Sequence, residues 1–160
     1  MATGKTTLGK EIARKKKWQF LDLDELITLR EKMSIADIFA QGGEVYFRRI
    51  EKKTLKEVSR EKKFVVACGG GIVIDKDNVK IMQDSGEVIC LIAPVETILE
   101  RAQGHAHRPL LNVVSPKKQI ELLLKLRQPF YARINKSIDT SKYTIKEARD
   151  KILKMIPKTR

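Results

Sequence analysis

The sequence predicts an α/β fold built on a parallel sheet. Two observations carry that expectation. Short apolar runs of strand type, "FVVAC" (64–68) and "EVICLI" (87–92), alternate with segments of helical periodicity. Glycine turns punctuate the alternation: Gly4-Lys5-Thr6 opens a helical stretch, and Gly69-Gly70-Gly71 ends a strand run. With 160 residues, 42% of them apolar, the chain suits one domain, 1–160, with a packed core of its own.

Taken in order, residues 5–16 read as a helix, with a good run from Leu8 to Ala13. "WQFLD" (18–22) is a short strand. Residues 24–31 and 34–40 read as short helices, the second with Ser34 as its N-cap. Residues 43–60 form a longer charged helix with Val45, Phe47, Ile50 and Leu55 on a broad apolar side. The strands at 64–68 and 87–92 follow, then helices at 94–103 and 116–133, where Pro129 is expected to kink or end the second. "YTI" (143–145) is the last strand expected, before a helix near 146–156. Between the helices lies "GHAHRPLLNVVSP" (104–116), long and without periodicity. Such a loop in a compact domain reads as a functional lid, here about 102–116.

A balance of 33 Lys and Arg against 20 Asp and Glu gives a formal charge of +13, which favours anionic partners. Aromatic residues are only 6%, too few for an interleaved stacking surface of the kind that binds single-stranded nucleic acid. Cys68 and Cys90 sit in apolar runs and read as reduced core thiols of a cytoplasmic protein. No apolar run approaches the ~20 residues of a membrane helix, and no membrane partner is expected.

Four stretches carry chemistry. In "ATGKTT" the backbone of a glycine turn and the following helix N-terminus form a positive concavity for phosphate oxygens. There Gly4 allows close approach, Lys5 reaches the terminal phosphates and the Thr6 hydroxyl suits Mg²⁺. In "FLDLDE", Asp22 and Asp24 are two apart, so on an extended segment they share a side at a strand's C-terminal end. One suits a metal through water and the other a substrate hydroxyl. In "YFRRIEKK", Arg48 and Glu51 are three apart on a helix, where the carboxylate would hold the guanidinium for bidentate capture of an acid. The three glycines 69–71 suit a ligand touching the backbone, and Arg108 in "HRPLL" suits a cation arriving on phosphates. His105 and His107, without further ligands, read as solvated loop residues.

Together, "ATGKTTLGK", "FLDLDELI", "SIADIFAQGGEVYFRRIE", "GGGIV", "HRPLL" and "LRQPFYARI" resemble the shikimate kinase family from residue 2 to about 140. The resemblance implies a P-loop-type three-layer fold with a parallel sheet of family order 2-3-1-4-5. It implies transfer of the ATP γ-phosphoryl group to the 3-hydroxyl of shikimate with Mg²⁺, in aromatic amino acid biosynthesis, by a cytoplasmic monomer. It implies that Ala2, Thr3, Gly4, Lys5, Thr6 and Thr7 bind the nucleotide, with Arg101 against adenine and Arg108 on the phosphates. Thr6 and Asp22 would hold the metal, and Lys5, Asp24 and Arg108 would be catalytic. Asp24, Arg48, Arg127, Gly69, Gly70, Gly71, Phe39 and Phe47 would form the shikimate pocket, within substrate-binding helices at about 24–60.

The family also places a buried strand and a first glycine before this turn, so Met1 reads as an internal methionine with about ten residues, a strand and half a loop, missing. That strand would be central, between those at 64–68 and 87–92. It would contribute several kcal/mol against a total of ~5–15 kcal/mol, so the 160-residue chain is expected to be poorly stable and weakly active. Two other readings remain at this point. A kinase of the gluconate or adenylate type is disfavoured by the Arg48 and Arg127 pair. A basic nucleic-acid module without turnover would use "ARKKKW" (13–18).

Overall fold

The structure, a computed structural model, describes residues 2–103 and 115–157. His105, His107, Arg108 and most of the expected lid lie outside the described residues. The chain divides into two compact units, Thr6–Val88, and Met1–Lys5 with Ile89–Arg160.

In the Thr6–Val88 unit, α1 (Lys5–Lys16) buries Leu8, Ile12 and Ala13, the face that the 3.6-residue period brings together. Trp18 N–H closes its end on the Ala13 carbonyl at 2.9 Å. The chain then enters β1 (Gln19–Asp22), which pairs in parallel with β2 (Phe64–Ala67), Gln19 opposite Phe64 and Asp22 opposite Ala67. Between them run α2 (Leu23–Glu31) and α3 (Ile35–Val58). Ser34 caps α3 by accepting from the Asp37 amide at 3.1 Å. The two helices expected at 34–40 and 43–60 are arms of α3 that meet at Gly43, whose φ of 69° and ψ of −179° interrupt the helix. Within the second arm Phe47 and Leu55 are buried but Val45 is 85% exposed, because two residues on a helix lie roughly 200° apart and Val45 faces away from Phe47. Leu23, Ile27 and Ile38 are fully buried, each contributing ~1.5–3 kcal/mol. The Tyr46 hydroxyl, donating to Glu31 at 2.8 Å, ties α3 to α2.

After β2 come the three glycines, a 3-10 turn (Ile72–Ile74) and α4 (Lys76–Ser85), a helix not expected from the sequence. Asp75 caps α4 by accepting from the Asp77 amide at 2.8 Å. Lys52 on α3 bridges Asp75 at 2.9 Å and Asp77 at 2.7 Å.

In the other unit, β3 (Cys90–Ile92) pairs in parallel with β4 (Ser137–Asp139), Cys90 opposite Ser137. Ala2, Ile98, Ala102 and Ile120 form a core between α5 (Val95–Gln103) and α6 (Pro116–Tyr131). The last helix is α7 (Ile145–Met155). The strand expected at 143–145 is corrected to 137–139. Thr144 instead starts α7 in a capping box, its hydroxyl accepting from the Glu147 amide and the Glu147 carboxylate accepting from the Thr144 amide. Pro129 lies in the last turn of α6, which ends two residues later. Both observed strand pairs, β1 with β2 and β3 with β4, are parallel.

Candidate active site

The glycine turn has the backbone of a phosphate cradle. Ala2 and Gly4 both have positive φ, 50° and 89°, on either side of Thr3. Left-handed residues alternating with ordinary ones point successive N–H groups toward one concavity. α1 begins at once, at Lys5, so its N-terminal amides add to that positive end.

Within the Thr6–Val88 unit, the Thr6 hydroxyl lies 3.4 Å from Asp22 Oδ2. Asp22 serves two purposes, because its Oδ1 accepts from the Asp24 amide at 3.1 Å and caps α2. This corrects one expectation. Asp24 is not on an extended segment beside Asp22; α2 starts at Leu23, and the two acids meet through the helix cap. A hydroxyl and a carboxylate side by side are hard oxygen donors of the kind Mg²⁺ takes, with water and phosphate completing the shell. Among the described residues no cluster of three or more His, Cys, Asp or Glu forms a protein-only metal cage.

Asp24, Arg48, Glu51, Gly69 and Gly71 come together in one corner. Arg48 Nη1 donates to Glu51 Oε2 at 2.7 Å, and Glu51 is 1% exposed. Its Nε and Nη2 both donate to Glu44 Oε1 at 3.2 Å. Helical spacing makes this possible, since Glu44 is one turn before Arg48 and Glu51 is one turn after. Burial works against the Arg48 charge, but hydrogen bonds and charge from Glu51 and Glu44 outweigh it and raise its pKa. Gly69 and Gly71 leave room for the charged side chains packed against them. A Cβ on Gly71 would overlap the Arg48 guanidinium, and one on Gly69 would lie 3.3 and 3.4 Å from the Asp24 carboxylate oxygens. Beside them, Phe39 and Phe47 stack at 4.7 Å between centroids, and the Arg48 guanidinium lies 5.2 Å from the Phe47 ring.

In the other unit, Arg101 on α5 donates to Thr140 through two nitrogens, to Oγ1 at 2.9 Å and to the backbone carbonyl at 3.0 Å. Arg127 on α6 is half-buried beside Tyr131. Burial raises the Tyr131 pKa, opposed by the charge and hydrogen bond of Arg127. Burial likewise pushes the Cys90 thiol up, opposed by Lys5. Neither Cys68 nor Cys90 is in a disulfide.

The sequence model of the shikimate kinase family matches residues 1–157. The chain belongs to the shikimate kinase family. Relatives named shikimate kinase include one from Thermoanaerobacter pseudethanolicus, 42% identical over 96% of this chain and 90% of that protein. Another, from Thermodesulfovibrio yellowstonii, is 40% identical over 96% and 89%. A solved shikimate kinase from Acinetobacter baumannii, in complex with shikimate, is similar with a TM-score of 0.90 and 35% identity, over 97% of this chain and 87% of that one. One from Bacteroides thetaiotaomicron reaches 0.91 at 28% identity over 97% and 93%.

Membership makes the chain an α/β enzyme with a P-loop fold and an ATP-dependent kinase. No described helix is long and apolar enough to cross a membrane. Two residues of this family member, Glu44 and Thr140, escape a reading of the sequence. The first is legible as an acid four residues before Arg48. The second carries no local signal, because its partners lie 39 and 137 residues away.

Proposed function

We propose that this shikimate kinase phosphorylates shikimate with the residues just described, in the route to aromatic amino acids. The observation that carries the reading is the joint placement of Asp24, Arg48 and Glu51 around Gly69 and Gly71. A carboxylate-fixed guanidinium suits a substrate acid, and a second carboxylate nearby suits a hydroxyl. The Arg48 fork, steadied by Glu51, binds the shikimate carboxylate; the part given to Arg127 rests on the sequence resemblance. Gly69, Gly70 and Gly71 let the ring touch the backbone, with Phe39 and Phe47 along it.

Asp24 accepts the proton of the 3-hydroxyl as its oxygen bonds to the γ-phosphorus. The bond from that phosphorus to the bridging oxygen breaks, and ADP leaves with the electron pair. Ala2, Thr3, Gly4 and Thr7 hold the phosphates by backbone and hydroxyl, and Lys5 balances charge on the transferring group. Thr6 and Asp22 are the residues that would hold Mg²⁺, which supplies charge neutralisation on the phosphates. Arg101, fixed along its edge by Thr140, offers a flat face for adenine. The part given to Arg108 rests on the sequence resemblance. The enzyme acts as a cytoplasmic monomer.

A coupled assay with ATP, Mg²⁺ and shikimate tests the reading. ADP release that depends on shikimate is expected. ATP turnover independent of shikimate, or faster with gluconate or a nucleoside monophosphate, would refute it.

A further inference from the structure

In the unit of Met1–Lys5 and Ile89–Arg160, one buried hydroxyl gathers three distant parts of the chain. Thr140 is 4% exposed and directly follows β4. Its Oγ1 accepts from Arg101 Nη1 at 2.9 Å. Its own N–H donates to the Ile92 carbonyl at 2.9 Å. A hydroxyl has a single proton. Since Arg101 donates into the oxygen, that proton must turn to an acceptor, and two carbonyls are in range: Thr3 at 3.0 Å and Ile92 at 3.3 Å. Ile92 already takes the Thr140 amide, and Thr3 is nearer.

Thr3 precedes Gly4, the residue least able to fix a peptide plane by its own sterics. The Thr3–Gly4 peptide therefore needs an outside restraint. No cis peptide bond occurs among the described residues. In a trans peptide the carbonyl and the N–H point in opposite directions. Holding the Thr3 carbonyl against a buried hydroxyl turns the Gly4 N–H the other way, toward the open side of the turn. The reverse orientation would present a carbonyl oxygen to an incoming phosphate.

We propose that Thr140 is a positioning residue for the nucleotide: its hydroxyl, aimed by Arg101, sets the Thr3–Gly4 peptide so that the Gly4 N–H faces the phosphates. The proposal rests on the reading above that this turn binds ATP. Thr140→Val keeps the shape and removes the hydroxyl. Calorimetry should show ADP binding weakened about 10- to 30-fold, the range expected for an unmade buried hydrogen bond. The KM for ATP should rise in step, while the KM for shikimate stays within about two-fold. Thr140→Ser should restore both. A merely structural role would not split the two substrates or be rescued by serine.

Melting curves establish that each variant folds. Should T140V not fold, Thr140→Ala carries the same expectation against T140S. ADP affinity in T140V, or in its T140A replacement, within about two-fold of the parent, or a serine variant no better than either, overturns the role of Thr140. A parent that binds ADP yet leaves shikimate untouched refutes the proposed function instead, and the ADP comparison still decides the role of Thr140.

Discussion

The charged corner of the Thr6–Val88 unit and the Thr140 cluster of the other unit solve different problems with different means. The first is made of formal charges, Asp24, Glu44, Arg48 and Glu51, packed where glycines leave room. The second carries one charge, Arg101, and otherwise orients backbone through neutral hydrogen bonds. Charges brought together out of water must be matched, since an unmatched partner in low dielectric costs far more than the pair contributes. Neutral backbone orientation is set by small energies and fails gradually. The difference predicts that the corner responds sharply to loss of a charge and the cluster softly to loss of a hydroxyl.

The largest effect expected is that of Glu51→Ala. It leaves Arg48 half-buried against the exposed Glu44 alone. Stability should fall by about 3 kcal/mol, the lower end for breaking a buried pair, and thermal denaturation should show a drop of about 10 °C. A drop under about 2 °C would show that the corner does not depend on charge matching. Asp24→Asn comes next. It keeps shape and removes the proton acceptor, so kcat should fall about 10²- to 10³-fold with melting little changed. A kcat within about five-fold of the parent would remove Asp24 from the base role.

The contrast also explains what is legible in the sequence. Charged residues at helical spacing announce themselves: Arg48 and Glu51, three apart and followed by a glycine run, mark the corner from the sequence alone. Leu8, Ile12 and Ala13 at helical spacing mark α1, short apolar runs mark β1 and β2, and the Ser34 cap marks the start of α3. β4 is easily misplaced because "SID" offers three residues with one buried, Ile138, while "YTI" has better strand formers. The capping box from Thr144 to Glu147 is the local signal that outweighs them. α4 buries only Asn78 and Val79, so few apolar residues announce it in the sequence. Val45, two residues before Phe47 on the same helical arm, falls on the opposite face and does not belong to the apolar side. Thr140 is invisible because its meaning is entirely tertiary.

Arg48→Lys sharpens the comparison within the corner. It keeps the charge and loses the planar fork that Glu51 and an acid substrate share. The KM for shikimate should rise about 10- to 30-fold and that for ATP should not move. Equal losses for both substrates would contradict the assignment. Glu44→Gln should do little, because its side chain is 63% exposed and an exposed pair contributes only ~0–1 kcal/mol. Its direction is informative. Glu44 holds Nε and Nη2 of Arg48, donors a substrate carboxylate would need, so the KM for shikimate should fall by up to about two-fold.

The smallest effect lies at the edge of the corner, where Lys52 bridges Asp75 and Asp77 across to α4. The hydrogen bond from Lys52, outweighing what burial does in the other direction, holds the Asp75 carboxyl below the usual carboxylate range. A carboxyl whose folded pKa is depressed contributes stability above its unfolded pKa, and that contribution is lost as pH falls through the lower folded value. The difference in melting temperature between the parent and Lys52→Met should therefore be present at pH 7, begin to shrink only below about pH 4, and be lost as pH falls through the lower folded value. Comparing the two chains cancels the many other carboxyls that also titrate in that range. A difference as large at about pH 2 as at pH 7 would mean that Lys52 acts through the packing of its methylenes on α4 rather than through its charge. The charge-built character of this side of the molecule would then stop at Arg48 and its two glutamates.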